Sequence, residues 1–232
     1  MAIDNQNLPN HIGFIVDGNR RWAKQQGKKT YFGHRKGSEI LKKIIESCFD
    51  RGINYVSAYV FSTENWNRSE DEVKYLMDLT VEFVDDYVKD LGKKNIKIVQ
   101  IGTRKGLSDK VLKAIDKAEE ATKDNTEGTL GLCLNYGGQH EIVDAIKRLV
   151  ESGQDVGALT PDNFQSYLYQ PDIPALDYIV RTSGEHRLSN FMLWRAAYAE
   201  LYFPETLWPD FKVAELDKAL EEYAQRQRRF GQ

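Results

Sequence analysis

Apolar residues along the chain alternate between short continuous runs and longer stretches with helical spacing. His11-Ile12-Gly13-Phe14-Ile15-Val16 is a nearly all-apolar run stopped by Asp17-Gly18-Asn19, the pattern of a buried strand. From Arg35 to Asp50, Ile40, Leu41, Ile44, Ile45 and Phe49 recur at helical spacing, and Gly52 closes that helix. Ile53 to Phe61 is rich in β-branched and aromatic residues and predicts a second strand. Strict alternation along it turns Tyr55, Ser57, Tyr59 and Phe61 one way and Asn54, Val56, Ala58 and Val60 the other. Ser69 and Glu72 form a capping-box pattern that opens a helix carrying Val73, Leu76, Met77, Phe83, Val84, Tyr87, Val88 and Leu91. Further strands are predicted at Ile96 to Ile101, Thr129 to Leu134, Tyr178 to Val180 and Leu201 to Phe203. Further helices are predicted at Ser108 to Lys123, Gln139 to Glu151 and Val213 to Arg229. Strands alternating with helices imply an α/β fold with a mostly parallel sheet and helices on both faces.

Nothing in the pattern marks a linker or a repeat, so residues 1–232 are expected to form a single domain. Two cysteines, Cys48 and Cys133, are too few for a disulfide scaffold or a Cys-based zinc site and suit a reducing cytosol. No apolar run approaches the roughly 18 residues of a transmembrane helix. Residues 1–10 are polar, without a basic segment followed by an apolar core, and are expected to be a flexible N-terminus rather than a signal peptide.

Charge is distributed unevenly. Residues 18–43 hold nine Lys/Arg against Glu39 alone, a local +8 in a chain whose net charge is −3, which leaves −11 elsewhere. A nucleic-acid binder spreads basic surface widely; a concentrated basic segment in an acidic chain suits a compact polyanion such as a diphosphate, or else a solvated helix face.

In an open parallel sheet, ligands bind beyond the carboxyl ends of the strands. Those ends carry Asp17-Gly18-Asn19-Arg20-Arg21-Trp22, Ser62-Thr63-Glu64-Asn65-Trp66-Asn67-Arg68, Asn135-Tyr136-Gly137-Gly138 and Arg181 through Asn190. Gly18 and Asn19 permit a tight turn into a helix whose first N–H groups face an anion. Arg20, Arg21 and His34 add charge-assisted donors for phosphate oxygens. Neither a Walker loop nor a G-x-G-x-x-G loop occurs. Asp17 is the lone acid among these cations; it suits a Mg²⁺ ligand beside a diphosphate or, alternatively, a helix cap. Arg181, Arg187 and Ser189 form a second anion site, and two anion sites suggest two phosphorylated substrates.

These strings, in this order, resemble the signature motifs of the cis-prenyltransferases, the undecaprenyl diphosphate synthase family. The resemblance runs from His11 through Gly33-His34-x-x-Gly37, Phe61 to Arg68, Asn135 to Gly138, Arg181 to Phe191 and Ala199-Glu200-Leu201 to Trp208-Pro209-Asp210-Phe211. It implies one domain with a six-stranded mostly parallel sheet, surrounding helices and an apolar product tunnel. It implies Mg²⁺-dependent condensation of isopentenyl diphosphate with an allylic diphosphate, farnesyl diphosphate for an undecaprenyl product, the lipid-carrier precursor of cell-wall glycans. A cytoplasmic homodimer is implied, held at the inner membrane face through its lipid product.

By resemblance, Asp17 holds Mg²⁺ and assists departure of the allylic diphosphate, which Gly18, Asn19, Arg20, Arg21 and His34 cradle. Asn65 belongs to the proton-removal step. Trp22, Ser62, Thr63, Glu64, Trp66 and Arg68 contact substrate. Arg181, Arg187, Leu188 and Ser189 hold isopentenyl diphosphate. Glu200 corresponds to a second acidic metal ligand acting across the dimer, and residues 229–232 to a tail that reaches an active site. Arg20 stands where bacterial long-chain members commonly have Gly, and Val60 where Ala is common beside the tunnel. A short-chain synthase and a non-catalytic partner subunit of this fold are the alternatives, the second disfavoured by the presence of Asp17, Arg181 and Arg187.

Overall fold

The computed structural model describes residues 7–91 and 94–226. Its strands are β1 (His11–Ile15), β2 (Tyr55–Ser62), β3 (Ile96–Ile101), β4 (Gly128–Tyr136), β5 (Tyr178–Arg181) and β6 (Glu200–Tyr202). They form one six-stranded sheet in the order β3-β4-β2-β1-β5-β6. Every neighbouring pair is parallel. The helices are α1 (Asn19–Gln25), α2 (Thr30–Asp50), α3 (Glu70–Leu91), α4 (Asp109–Thr122), α5 (Gly138–Ser152), α6 (Pro161–Phe164) and α7 (Val213–Gln225). The expected single-domain α/β architecture is therefore present.

The sheet is buried on both faces, which is why its strands read as continuous apolar runs. One layer joins Ile12, Phe14, Val56 and Ala58 of the strands to Ile44 of α2, Tyr87 of α3 and Leu216 of α7. The other joins Ile15, Tyr59 and Ile179 to Phe191, Met192 and Ala196 of the segment before β6. Beneath this second layer the Arg195 guanidinium donates to Glu141 at 2.8 Å and to the carbonyls of Tyr169, Gln170 and Ile173. Both side chains of that pair are at most 1% exposed. This ion pair pins the irregular chain of residues 169–173 to α5.

Several local features differ from the sequence pattern. Helix α2 starts at Thr30, five residues before the expected Arg35, because its first turn packs by close approach rather than by apolar side chains. A Cβ at Gly33 would lie 2.0 Å from the Asn19 carbonyl oxygen, and one at Gly37 would lie 2.2 Å from Asn19 Oδ1. Two glycines four residues apart thus let α1 lie against α2. Strand β2 has register shifts against β4 between Tyr59 and Phe61 and between Phe61 and Ser62. The irregularity breaks the expected alternation: Tyr59 packs in the layer with Ile15 and Phe191, while Phe61 and Val60 pack with Leu76, Val111 and Leu134. The last helix ends at Gln225, and Arg226 turns back to pair with Glu200. Residues 1–6 of the expected N-terminal arm and the whole expected tail, 229–232, lie outside the described residues. Among the described residues, no helix is long and apolar enough to cross a membrane.

Candidate active site

The central strand β1 has β2 on one side and β5 on the other, so the loops after these strands diverge around one opening. A cavity of about 860 Å³ begins there and runs between the sheet and helices α2 and α3. Its mouth is lined by Asp17, Gly18, Asn19, Arg20, Arg21, His34, Ser62, Glu64, Asn65, Arg68, Arg181 and Ser189. Its depth is lined by apolar and small groups, among them Leu41, Val60, Leu76, Leu79, Phe83 and Leu132. One continuous space thus joins a cationic mouth to an apolar interior, and most of the expected site residues meet at that mouth.

Asp17 follows β1, and its backbone carbonyl accepts from Thr182 Oγ1 at 2.6 Å and from the Trp208 N–H at 3.0 Å. Its carboxylate is left for the arginines: Arg181 Nη2 donates at 3.0 Å and Arg21 lies at 3.4 Å. Burial pushes the carboxyl pKa up, but the bond and charge of Arg181, the charge of Arg21 and the Gly18 N–H outweigh it and hold the group below its ordinary value. Gly18 has φ +111°, a conformation that L side chains rarely adopt, and an added Cβ would crowd Leu207 at 3.0 Å.

Arg181 ends β5 with a side chain only 4% exposed. It donates to Asp17, to Ser189 Oγ at 2.7 Å and to the Arg187 carbonyl, yet its buried Nε has no partner. An unpaired buried donor is costly; beside an open cavity it suits an arriving anion. The loop that follows holds Ser183, Ser189, Asn190 and Met192 at positive φ. Asn190 ties three motifs together. Its amide donates to Glu64 at 2.9 Å, its side-chain oxygen accepts from the Gln139 N–H, and its carbonyl accepts from the Gly138 N–H. A charge chain runs across the mouth, with Glu185 pairing both Arg187 and Arg21, and Arg21 reaching Asp17.

On the α2–α3 side, Glu72 Oε1 accepts from Arg68 at 3.0 Å, contacts His34 Nε2 at 3.1 Å and lies 4.0 Å from Arg20. The capping-box pattern disguised this role: the Glu72 carboxylate holds three site residues. Burial lowers the His34 pKa, and the bond and charge of Glu72 raise it back only in part. Asn65 sits in a short 3₁₀ turn, where its Oδ1 accepts from the Ser62 N–H at 3.1 Å in a true capping box.

Six expected residues do not line the cavity. Trp22 donates to Asp210, and Trp66 donates to Asn135 at 2.7 Å, bracing the second motif against the third. Thr63 lies against Gly137, its hydroxyl unpartnered. Leu188 packs in the core layer with Phe191. Arg187 is 58% exposed and pairs with Glu185, the carboxylate that also meets Arg21 at the mouth. Glu200 pairs in register with Tyr178, three residues before Arg181 on the neighbouring strand, and its carboxylate binds Arg226 at 2.7 Å. Sequence inspection missed Glu72, Asn190 and Glu185 as organisers of the mouth. The signal available for them was the need of so many cations for counter-charges.

No group of three or more His, Cys, Asp or Glu among the described residues could hold a metal ion by itself. Asp17 offers one hard oxygen donor at the mouth. That set fits Mg²⁺, which takes one or two carboxylates and draws its other ligands from phosphates and water.

A family model described as "Putative undecaprenyl diphosphate synthase" matches residues 15–231. An isoprenyl transferase of Fusobacterium nucleatum is 46% identical over 226 residues, 97% of each chain. One from Thermotoga maritima is 44% identical over 227 residues, again 97% of each chain. Among solved structures, lavandulyl diphosphate synthase from Lavandula x intermedia, in complex with dimethylallyl diphosphate, is similar with a TM-score of 0.95 and 34% identity, over 98% of this chain and 100% of that one. A probable undecaprenyl diphosphate synthase from Campylobacter jejuni gives a TM-score of 0.82 at 32% identity, over 97% and 100%.

Proposed function

Since the chain belongs to the undecaprenyl diphosphate synthase family and is a transferase of the isoprenyl class, we propose that it is a cis-prenyltransferase. It condenses isopentenyl diphosphate repeatedly with an allylic diphosphate, farnesyl diphosphate, to give undecaprenyl diphosphate for cell-wall glycan carriers. The observation that carries this is one continuous cavity with Arg181, whose buried Nε has no partner, at its mouth and apolar walls behind. A ligand with an anionic head and a long hydrocarbon tail matches both ends.

Cleaving the allylic carbon–oxygen bond leaves negative charge on diphosphate and positive charge on the hydrocarbon. Arg20, Arg21 and the amides after Gly18 receive the allylic diphosphate, and His34, held by Glu72, lines the mouth beside it. Their fixed positions stabilise the leaving group without reorganisation. Arg181, Ser189 and Arg187 hold isopentenyl diphosphate, so that its double bond faces the cationic carbon. The apolar interior keeps water from the cation. Asn65, its carbonyl tied to Ser62, orients the carbon whose proton passes to an oxygen of the departed diphosphate. Asp17 would hold Mg²⁺, which when bound supplies charge to the departing diphosphate.

The same reading makes the enzyme a homodimer in which Glu200 serves the partner's metal. Helix α5 supports this with exposed Val143, Ile146 and Val150 at i, i+3 and i+7. Sedimentation equilibrium tests it, and a monomer at working concentration overturns it. The same reading has the enzyme work in the cytoplasm, peripheral to the membrane. The strong fold similarity to lavandulyl diphosphate synthase supports a short-chain product as the second reading.

The test is to incubate purified protein with labelled isopentenyl diphosphate, farnesyl diphosphate and Mg²⁺ and to size the lipid products. Label in long polyprenyl diphosphates is expected. Label only in products one or two units longer selects the short-chain reading, and no incorporation overturns the assignment.

A further inference from the structure

We propose that the corner between α1 and α2 is a docking surface for an anionic lipid bilayer. Between Gly18 and Ser38 the sequence has seven Lys/Arg and no Asp or Glu. Part of this charge serves the cavity mouth, but Lys24, Lys28 and Lys29 lie outside the cavity lining and are exposed. Among the described residues no carboxylate pairs with any of the three, whereas Lys36, Lys94, Lys110 and Lys117 each have one.

Aromatic rings share this corner. Tyr31 and Phe32 are 40% and 46% exposed and stack on each other with centroids 4.5 Å apart. Lys28 Nζ lies 5.5 Å from the Trp22 ring and 5.9 Å from the Phe32 ring. Their exposure follows from the fold. The first turn of α2 turns Gly33 inward against the Asn19 carbonyl, where a Cβ has no room, and so fixes Tyr31 and Phe32 outward.

Exposed aromatics beside lysines that have no carboxylate partner have the chemistry of a membrane interface. Rings settle at headgroup depth, and each cation near an anionic surface contributes attraction. Lysine, a point charge on a flexible stem, suits a fluid field of headgroups better than a fixed bidentate partner. Arg20, Arg21 and His34, on the same two helices, line the cavity mouth. Docking here therefore sets the mouth beside the bilayer. The docking does not depend on the transferase assignment.

Co-sedimentation of the full chain with phosphatidylcholine vesicles, with and without phosphatidylglycerol, tests the proposal at low and high salt. Binding is expected only to the anionic vesicles and to weaken with salt. The triple variant Lys24→Gln/Lys28→Gln/Lys29→Gln is expected to lower the partition coefficient on the order of a hundredfold at low salt. Tyr31→Ser/Phe32→Ser is expected to lower it several-fold while keeping the salt dependence. Circular dichroism of each variant checks the fold, and the second variant decides if the first fails to fold. Equal binding to neutral and anionic vesicles, no binding, or wild-type binding by a folded variant would overturn the proposal. So would release by inorganic pyrophosphate, which would show headgroups occupying the cavity mouth instead.

Discussion

Asp17→Asn separates binding from chemistry. The substitution keeps the side-chain shape and removes its charge. The bonds from Thr182 and Trp208 go to the Asp17 backbone carbonyl and survive it, so the loop keeps its path. What changes is the demand on two arginines, because the carboxylate now engages Arg181 at 3.0 Å and Arg21 at 3.4 Å. Hydrogen bonds to charged groups are worth about 1.5–3 kcal/mol each. Freed guanidinium donors become available to substrate, so allylic diphosphate measured without Mg²⁺ should bind as tightly as to wild type, or up to about tenfold more tightly. Turnover should fall about a thousandfold, near 4 kcal/mol, because the oxygen donor that brings positive charge to the departing diphosphate is lost. Calorimetric titration with farnesyl diphosphate gives the first quantity. Rapid-quench single turnover with labelled isopentenyl diphosphate gives the second. Turnover within about tenfold of wild type would remove Asp17 from the chemistry and leave it a counter-charge to Arg181 and Arg21. Equal losses in binding and turnover would show that it only positions Arg181.

Arg187→Ala should raise the Michaelis constant for isopentenyl diphosphate at least about tenfold and change that for the allylic substrate much less; steady-state kinetics with each substrate varied would reveal equal effects, which contradict two separate anion sites. Val60→Ala should lengthen the products by one or more isoprene units, since Val60 lines the cavity at the irregular end of β2; mass spectrometry under identical substrate ratios checks it, and an unchanged distribution moves the determinant to the facing Phe83. Glu141→Ala should destabilise the fold by about 3–5 kcal/mol in urea unfolding, because it strands the buried Arg195 charge. His11, fully buried between Ser57 and the Pro174 carbonyl, has its pKa lowered to about 4 by burial. The unfolded chain therefore takes up a proton first as pH falls, and roughly 3 kcal/mol of stability should be lost between about pH 6.5 and 4; urea unfolding of wild type and His11→Asn across that window should show their difference shrinking.

The strands were legible because a doubly covered parallel sheet leaves no polar face to confuse the pattern. The mouth was legible for a related reason: polar residues clustered where those strands stop. Other features depend on contacts that no local pattern carries. The first turn of α2 hid behind outward aromatics and a glycine, and its reason, the approach of Asn19, lies elsewhere in the chain. Alternation along β2 held until the irregularity at Val60, which only the register with β4 reveals. Glu72 carried a local capping signal, while its partners His34 and Arg20 lie far off in the chain, His34 38 residues away. Short helical turns between α5 and β5 escaped notice although Thr160-Pro161-x-Asn163 forms a capping box there. Glu200 stood in a recognisable motif, yet within one chain it faces Arg226 rather than the mouth, so its motif could not show where it acts.

The most direct test of the transferase assignment is the stereochemistry of what the protein makes. Product from farnesyl diphosphate, isopentenyl diphosphate and Mg²⁺ can be dephosphorylated and each double bond assigned by carbon-13 NMR. Newly added units should all be cis, following the trans units of the primer, and their formation should fall about a thousandfold in Asp17→Asn. Newly added trans units, or cis product undiminished in that variant, would contradict the account.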